Sequence, residues 1–153
     1  MTKSLGKKFE EKFREDFSKI QNSIVIRLPD QVSGYKATSA NICDFICYVY
    51  PHIYFIECKE KKGNTFPLEN LTQYERLLQV KNKLGAVVGV VIWYSEHDKV
   101  FFVPISVFEQ LKAEDKKSLN IKDIHNYKNI IEIPSQKKRK FLDSDYSILL
   151  EER

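Results

Sequence analysis

Three side chains in this sequence could do concerted chemistry: Asp44, and then Glu57 and Lys59 in Glu57-Cys58-Lys59. The segments that carry them, residues 42–50 and 52–59, are rich in β-branched and aromatic residues and lack helical periodicity. They predict two adjacent strands that turn near Pro51. Residues two apart on a strand share a face, so Glu57 and Lys59 emerge together, and a hairpin partner can bring Asp44 across from them. Two carboxylates about 4 Å apart repel by roughly 4 kcal/mol at an effective dielectric near 20. One lysine offsets only part of that. A divalent cation offsets more, and carboxylate oxygens are the ligands Mg²⁺ prefers. The Ile56 or Cys58 carbonyl can add a neutral oxygen. Mg²⁺ held there would polarise a phosphoryl group and lower the pKa of an attacking water. Lys59 would orient or deprotonate that water, or stabilise the charge that develops. On spacing alone, a surface ion pair at the end of a hairpin competes with this reading, and such pairs are common and weak.

The elements that must position these groups are legible from pattern. Phe9, Phe13, Phe17 and Ile20 make one apolar stripe at helical period. Ser4 is placed to cap that helix, and Asn22-Ser23 to end it. A short β-branched run at 24–26 predicts a strand, broken by Pro29-Asp30. Residues 30–41 are polar and predict an irregular excursion. Residues 68–84 predict a second helix stopped by Gly85, and the continuous apolar run 86–94 predicts a buried strand. Strands at 100–103 and 130–133 and a helix at 105–112 follow, with 113–129 left unassigned and an amphipathic tail at 141–150. This order predicts an α/β fold, a central mixed β-sheet flanked by helices.

The chain has 153 residues, 42% hydrophobic and 30% charged, which predicts one domain with a core that needs no disulfide or structural metal. The core would run over about 6–134, with a basic segment and tail at 135–153. No apolar run approaches the roughly 20 residues that span a bilayer, and the basic start lacks the apolar stretch of a secretory signal. A cytoplasmic protein without membrane contact is the expectation. Cys43, Cys47 and Cys58 lack zinc-like spacing and read as small core residues in a reducing setting.

Three segments are similar to the RecU-type Holliday junction resolvases of phages and Firmicutes, members of the PD-(D/E)xK nuclease superfamily. They are Asn41-Ile42-Cys43-Asp44-Phe45, then Tyr54 to Lys59, then Lys62-Gly63-Asn64-Thr65-Phe66-Pro67-Leu68-Glu69-Asn70-Leu71-Thr72. The last is the most specific, because no general folding rule requires it. Gly6-x-x-Phe9-Glu10 resembles the family's first helix, and the resemblance covers residues 6–103. It implies a restriction-endonuclease-like core, a metal held by Asp44, Glu57 and Glu10, and Lys59 as the catalytic lysine. The metal would be Mg²⁺, with Mn²⁺ as a substitute. It also implies a homodimer whose two active sites nick two strands of a four-way junction. One position departs from the pattern. Where the family places a glutamine, this chain has Glu75, and the nearest glutamine is Gln73, roughly 200° away around a helix. Either Glu75 takes the role with a negative charge, or a shifted helix uses Gln73.

Lys+Arg number 25 against 21 Asp+Glu, a net charge of +4, compatible with a polyanion partner. The candidate DNA contacts are Lys7, Lys8, Lys12 and Arg14 on the first helix, Arg27 and Lys36 around the excursion, Lys61 and Lys62, and the run Lys137, Lys138, Arg139 and Lys140. Two other functions share these residues: a PD-(D/E)xK nuclease acting on duplex DNA, and a catalytically inactive DNA-binding module on the same fold.

Overall fold

The computed structural model describes residues 4–29 and 41–151. The first element is helix α1, Leu5–Phe17, capped by the Ser4 side chain, which accepts the Lys7 N–H at 3.2 Å. Strand β1, Ile24–Arg27, leads to the excursion, which lies outside the described residues with Lys36 in it. Then come β2, Phe45–Val49, and β3, His52–Lys61, which turn at Tyr50-Pro51 as the sequence predicts. Short strand β4, Thr65–Pro67, and a 3₁₀ turn at Leu68–Asn70 precede α2, Tyr74–Val80. After these come β5, Ala86–Tyr94, β6, Lys99–Pro104, and α3, Ile105–Ala113. The C-terminal part holds β7, Ser118–Asn120, β8, Ile131–Ile133, β9, Ser135–Lys138, and β10, Phe141–Ser144, and ends in a 3₁₀ turn at Tyr146–Leu150.

Six strands form one mixed sheet in the order β1-β2-β3-β5-β6-β8. Among the described residues its only parallel contact is β3 with β5, from Ile53↔Ala86 to Lys61↔Tyr94. A parallel pair needs a crossover, and residues 62–85, including α2, supply it. One face is covered by α1, whose phenylalanine stripe does the packing. Phe9 lies 5.4 Å from Trp93 between ring centroids, Phe13 lies 4.9 Å from Phe45, and Phe17 lies 5.7 Å from Tyr54. The other face packs Val90, Ile92 and Val103 against Leu77 of α2 and Phe108 and Leu111 of α3. All three cysteines are free and buried, in line with their reading as core residues.

One expectation needs correction, and one unassigned stretch takes a definite form. The helix over 68–84 is only Tyr74–Val80. Leu71 has ψ 81°, outside the helical region, and Asn82 with φ 66° ends the segment, which leaves Leu84 fully exposed in a turn. The unassigned 113–129 contains β7, which pairs antiparallel with β4 and places Leu119 opposite Phe66. The tail at 141–150 is amphipathic as expected. It starts as β10, paired with β9, buries Leu142, Ser144 and Tyr146 while Asp145 and Ser147 stay exposed, and sets Tyr146 on α1, 4.8 Å from Phe13.

Candidate active site

Asp44 stands one residue before β2. The pairing Phe45↔Ile56 puts it beside the middle of β3. Its Oδ2 accepts the backbone N–H of Cys58 at 2.9 Å, so the carboxylate is fixed by the strand that carries its two partners. Glu57 is 2% exposed, because β3 is an inner strand with neighbours on both sides. Lys59 Nζ lies 3.3 Å from Glu57 Oε2. The other oxygen, Glu57 Oε1, is buried with no hydrogen-bond partner among the described residues. The face shared by Glu57, Lys59 and Asp44 is therefore as the strand period requires.

Glu10 approaches from α1, one residue past the ring that anchors on Trp93. Arg27, the last residue of β1, donates to Glu10 Oε1 through Nε at 3.2 Å and Nη2 at 2.5 Å. It also donates to the Leu28 carbonyl and lies over the Phe45 ring, 5.9 Å from its centroid. Lys7 Nζ is 3.6 Å from Glu10 Oε2. Among the described residues no three His, Cys, Asp or Glu side chains converge closely enough to hold an ion. Glu10, gripped by Arg27, stands beside the Asp44–Glu57 pair and does not close a third ligand around it.

The electrostatics show what the pair is missing. Burial, with Asp44 next and Glu10 after it, pushes the Glu57 carboxyl up to about 8, and Lys59 pulls it back only in part. Burial also raises Asp44, against the pull of the Cys58 N–H, Arg27 and Lys59. Glu10 is raised by burial and by Asp44, against Arg27 and Lys7. Asp44 thus raises both Glu10 and Glu57, Glu10 adds to the rise of Glu57, and a buried acceptor oxygen on Glu57 goes unused. A hard divalent cation corrects both faults at once. Mg²⁺ commonly takes one or two protein carboxylates and completes its shell with water or substrate oxygens, so the donor set present fits it.

The remaining expected residues divide. Neither Glu75, exposed on the first turn of α2, nor Gln73, at its N-cap, bonds to Glu10, Asp44, Glu57 or Lys59 among the described residues. Lys12, expected on DNA, is a brace, 3.0 Å from Asp16 Oδ1 and 2.5 Å from Asp143 Oδ1. Arg27 is likewise held inside the site by Glu10. Lys7 and Arg14 line a pocket of about 260 Å³ beside it. Lys8 and Lys61 are half-buried and Lys62 is exposed. Lys137 pairs with Asp98 at 2.9 Å, while Lys138, Arg139 and Lys140 sit exposed on the β9–β10 hairpin. Sequence reasoning missed the Arg27–Glu10 grip and the Cys58 N–H as the anchor of Asp44. Both need the register of β1 and β3 against β2, which no local motif encodes.

Compared with known families, the sequence matches the one described as RecU: Recombination protein U over residues 10–144. The chain belongs to that family. The match continues past residue 103 through β9 and β10 to residue 144, so most of the C-terminal third of this RecU chain belongs to the family pattern as well. The search of curated proteins finds no match. Among solved structures, the RecU chain is similar to that of Hjc from Archaeoglobus fulgidus, a Holliday junction resolvase from an archaeal hyperthermophile. The TM-score is 0.50 at 21% identity, over 66% of this chain and 78% of that one. At that identity the likeness speaks for the fold, a mixed sheet flanked by helices with restriction-endonuclease-like architecture.

Proposed function

We propose that this RecU-family chain resolves four-way DNA junctions by metal-dependent paired hydrolysis of phosphodiesters, acting as a homodimer. Family membership carries the coarser statement, a junction-resolving endonuclease. The metal dependence within it rests on a single observation: Glu57, buried beside Asp44, keeps an unpartnered oxygen and a raised pKa that a divalent cation would relieve. Asp44 and Glu57 would hold the ion, and Glu10 would add negative charge from α1. When bound, Mg²⁺ supplies a Lewis acid that polarises the scissile phosphate and activates a water. Lys59, 3.3 Å from Glu57, orients that water and faces the charge that builds on the phosphoryl oxygens. Water attacks phosphorus, the bond from phosphorus to the 3′-oxygen breaks, and the 3′-oxygen leaves with a proton. Two copies bring two such sites, one for each strand to be cut.

The test is nicking of a labelled four-way junction beside a linear duplex of the same sequence, in Mg²⁺, in Mn²⁺ and in EDTA. Asp44→Ala runs in parallel. Metal-dependent paired nicks confined to the junction and lost in the variant are expected. Equal cutting of both substrates would replace this reading with a general duplex nuclease. Junction binding without cutting in either metal would leave an inactive DNA-binding module.

A further inference from the structure

The β9–β10 hairpin carries a local conflict between conformation and charge. The pairing Lys138↔Phe141 leaves a two-residue loop, Arg139-Lys140. Arg139 has φ +54°, the left-handed region that glycine enters at no cost and arginine does not. Two-residue hairpin loops with a positive φ at their first residue favour glycine there. The sequence keeps an arginine in that place and a lysine on either side of it.

Of these cations Lys138 acts, among the described residues, only through its field on Asp143, which Lys12 lowers first and Lys138 helps to lower. Arg139 and Lys140 make no hydrogen bond or ion pair among the described residues, and residues 134–142 contain no acidic side chain. The hairpin itself is braced. Asp16, buried on α1, accepts the Ser144 N–H at 3.0 Å, Lys12 bridges Asp16 and Asp143, and Phe141 lies 5.7 Å from Trp93. The bracing also fixes its direction. Ser144 sits at the C-terminal part of α1, while Phe141 meets Trp93, which packs on Phe9. The tip therefore points past the N-terminal half of α1, the half that carries Glu10. A braced arm bears a dense positive charge toward the end of α1 that carries Glu10.

We propose that Lys138-Arg139-Lys140 is a second DNA contact, a β-hairpin arm that grips backbone phosphates of a duplex arm of the substrate. It rests on the DNA-nuclease reading above. Phosphates are the partner because three adjacent cations on a rigid turn neutralise a repeating anion without reading bases.

The experiment measures junction binding by the full chain in EDTA, so that no cutting intervenes, between about 50 and 200 mM salt. Two double variants remove the tip charge in different ways. Arg139→Gly with Lys140→Asn also relieves the turn. Arg139→Gln with Lys140→Gln leaves its backbone requirement in place. Lys83→Gln, an exposed lysine at the opposite end of β5, controls for net charge. Both double variants should weaken binding and flatten the slope of log affinity against log salt by roughly 2. The glycine variant should keep or raise Tm, by roughly 2–4 °C for a chain of this size, so affinity and stability move in opposite directions. Lys83→Gln should bind as the wild type does. Wild-type affinity in both double variants, or an equal loss in Lys83→Gln, would overturn the proposal. A wild-type chain that binds no DNA would sink the nuclease reading itself, a separate result.

Discussion

Glu57 ties the chemistry of the site to the stability of the fold. Its carboxyl stands at about 8 in the folded chain against an ordinary 4.5. Between those values the folded state binds more protons than the unfolded one, so stability falls as pH rises. Asp44 and Glu10 are shifted the same way and add to the trend. The metal-free protein should therefore melt at steadily lower temperature from pH 5 to pH 8. Millimolar Mg²⁺ should restore more of the Tm at pH 8 than at pH 5, because it competes with fewer protons. A thermal melt series with and without EDTA checks both, and a pH-independent metal shift would contradict them. Glu57→Gln should abolish cleavage, yet raise the metal-free Tm at pH 8 and remove most of the response to Mg²⁺. Strand period puts Glu57 and Lys59 on one face, where the structure also has them with Asp44 alongside. Spacing alone leaves a surface ion pair as a rival reading, and it is the family resemblance that singles the group out. The place of Arg27 was not readable in advance, because its partner lies 17 residues away on another element.

At the scale of elements, β5 sets the spacing of the sheet. Gly89 pairs with Ile56 on one side and Pro104 on the other, and a Cβ there would stand 2.5 Å from the Val103 carbonyl oxygen. Gly89→Ala should cost roughly 1–3 kcal/mol as overpacking against backbone, read from the urea midpoint at unchanged m-value. Asp16 is the hinge pin between α1 and the C-terminal hairpin. Asp16→Ala leaves the Ser144 N–H buried without its acceptor and Lys12 without one of its carboxylates. A loss of about 1–3 kcal/mol is expected, with amide exchange in residues 135–144 rising more than in β3 or β5. Long periodic or continuously apolar elements, α1 and β5 above all, were legible in the sequence. The break at 71–73, the β4–β7 pair and the β9–β10 hairpin were not. Each is three or four residues long and depends on a partner more distant than any sequence window reaches, or on a turn paid for by tertiary contacts.

The whole molecule presents one candidate site per chain, and a junction needs two cuts. Sedimentation of the RecU chain should give twice the monomer mass. Mixed dimers of wild-type and Asp44→Ala subunits should cut one strand of a labelled junction and leave its partner strand intact. A monomer that makes paired nicks would contradict the dimer. No helix among the described residues is long and apolar enough to cross a membrane.

Trp93 is the only tryptophan in the chain, is 3% exposed, and touches both Phe9 of α1 and Phe141 of β10. It is thus a built-in optical reporter at the seam between the helix and the hairpin. Its emission should lie at the short-wavelength end for an indole and shift red when that seam opens. Because α1 carries Glu10 and β10 carries the basic tip, a fluorescence change on adding a junction would show the seam rearranging on the enzyme's own signal, without a label on either molecule.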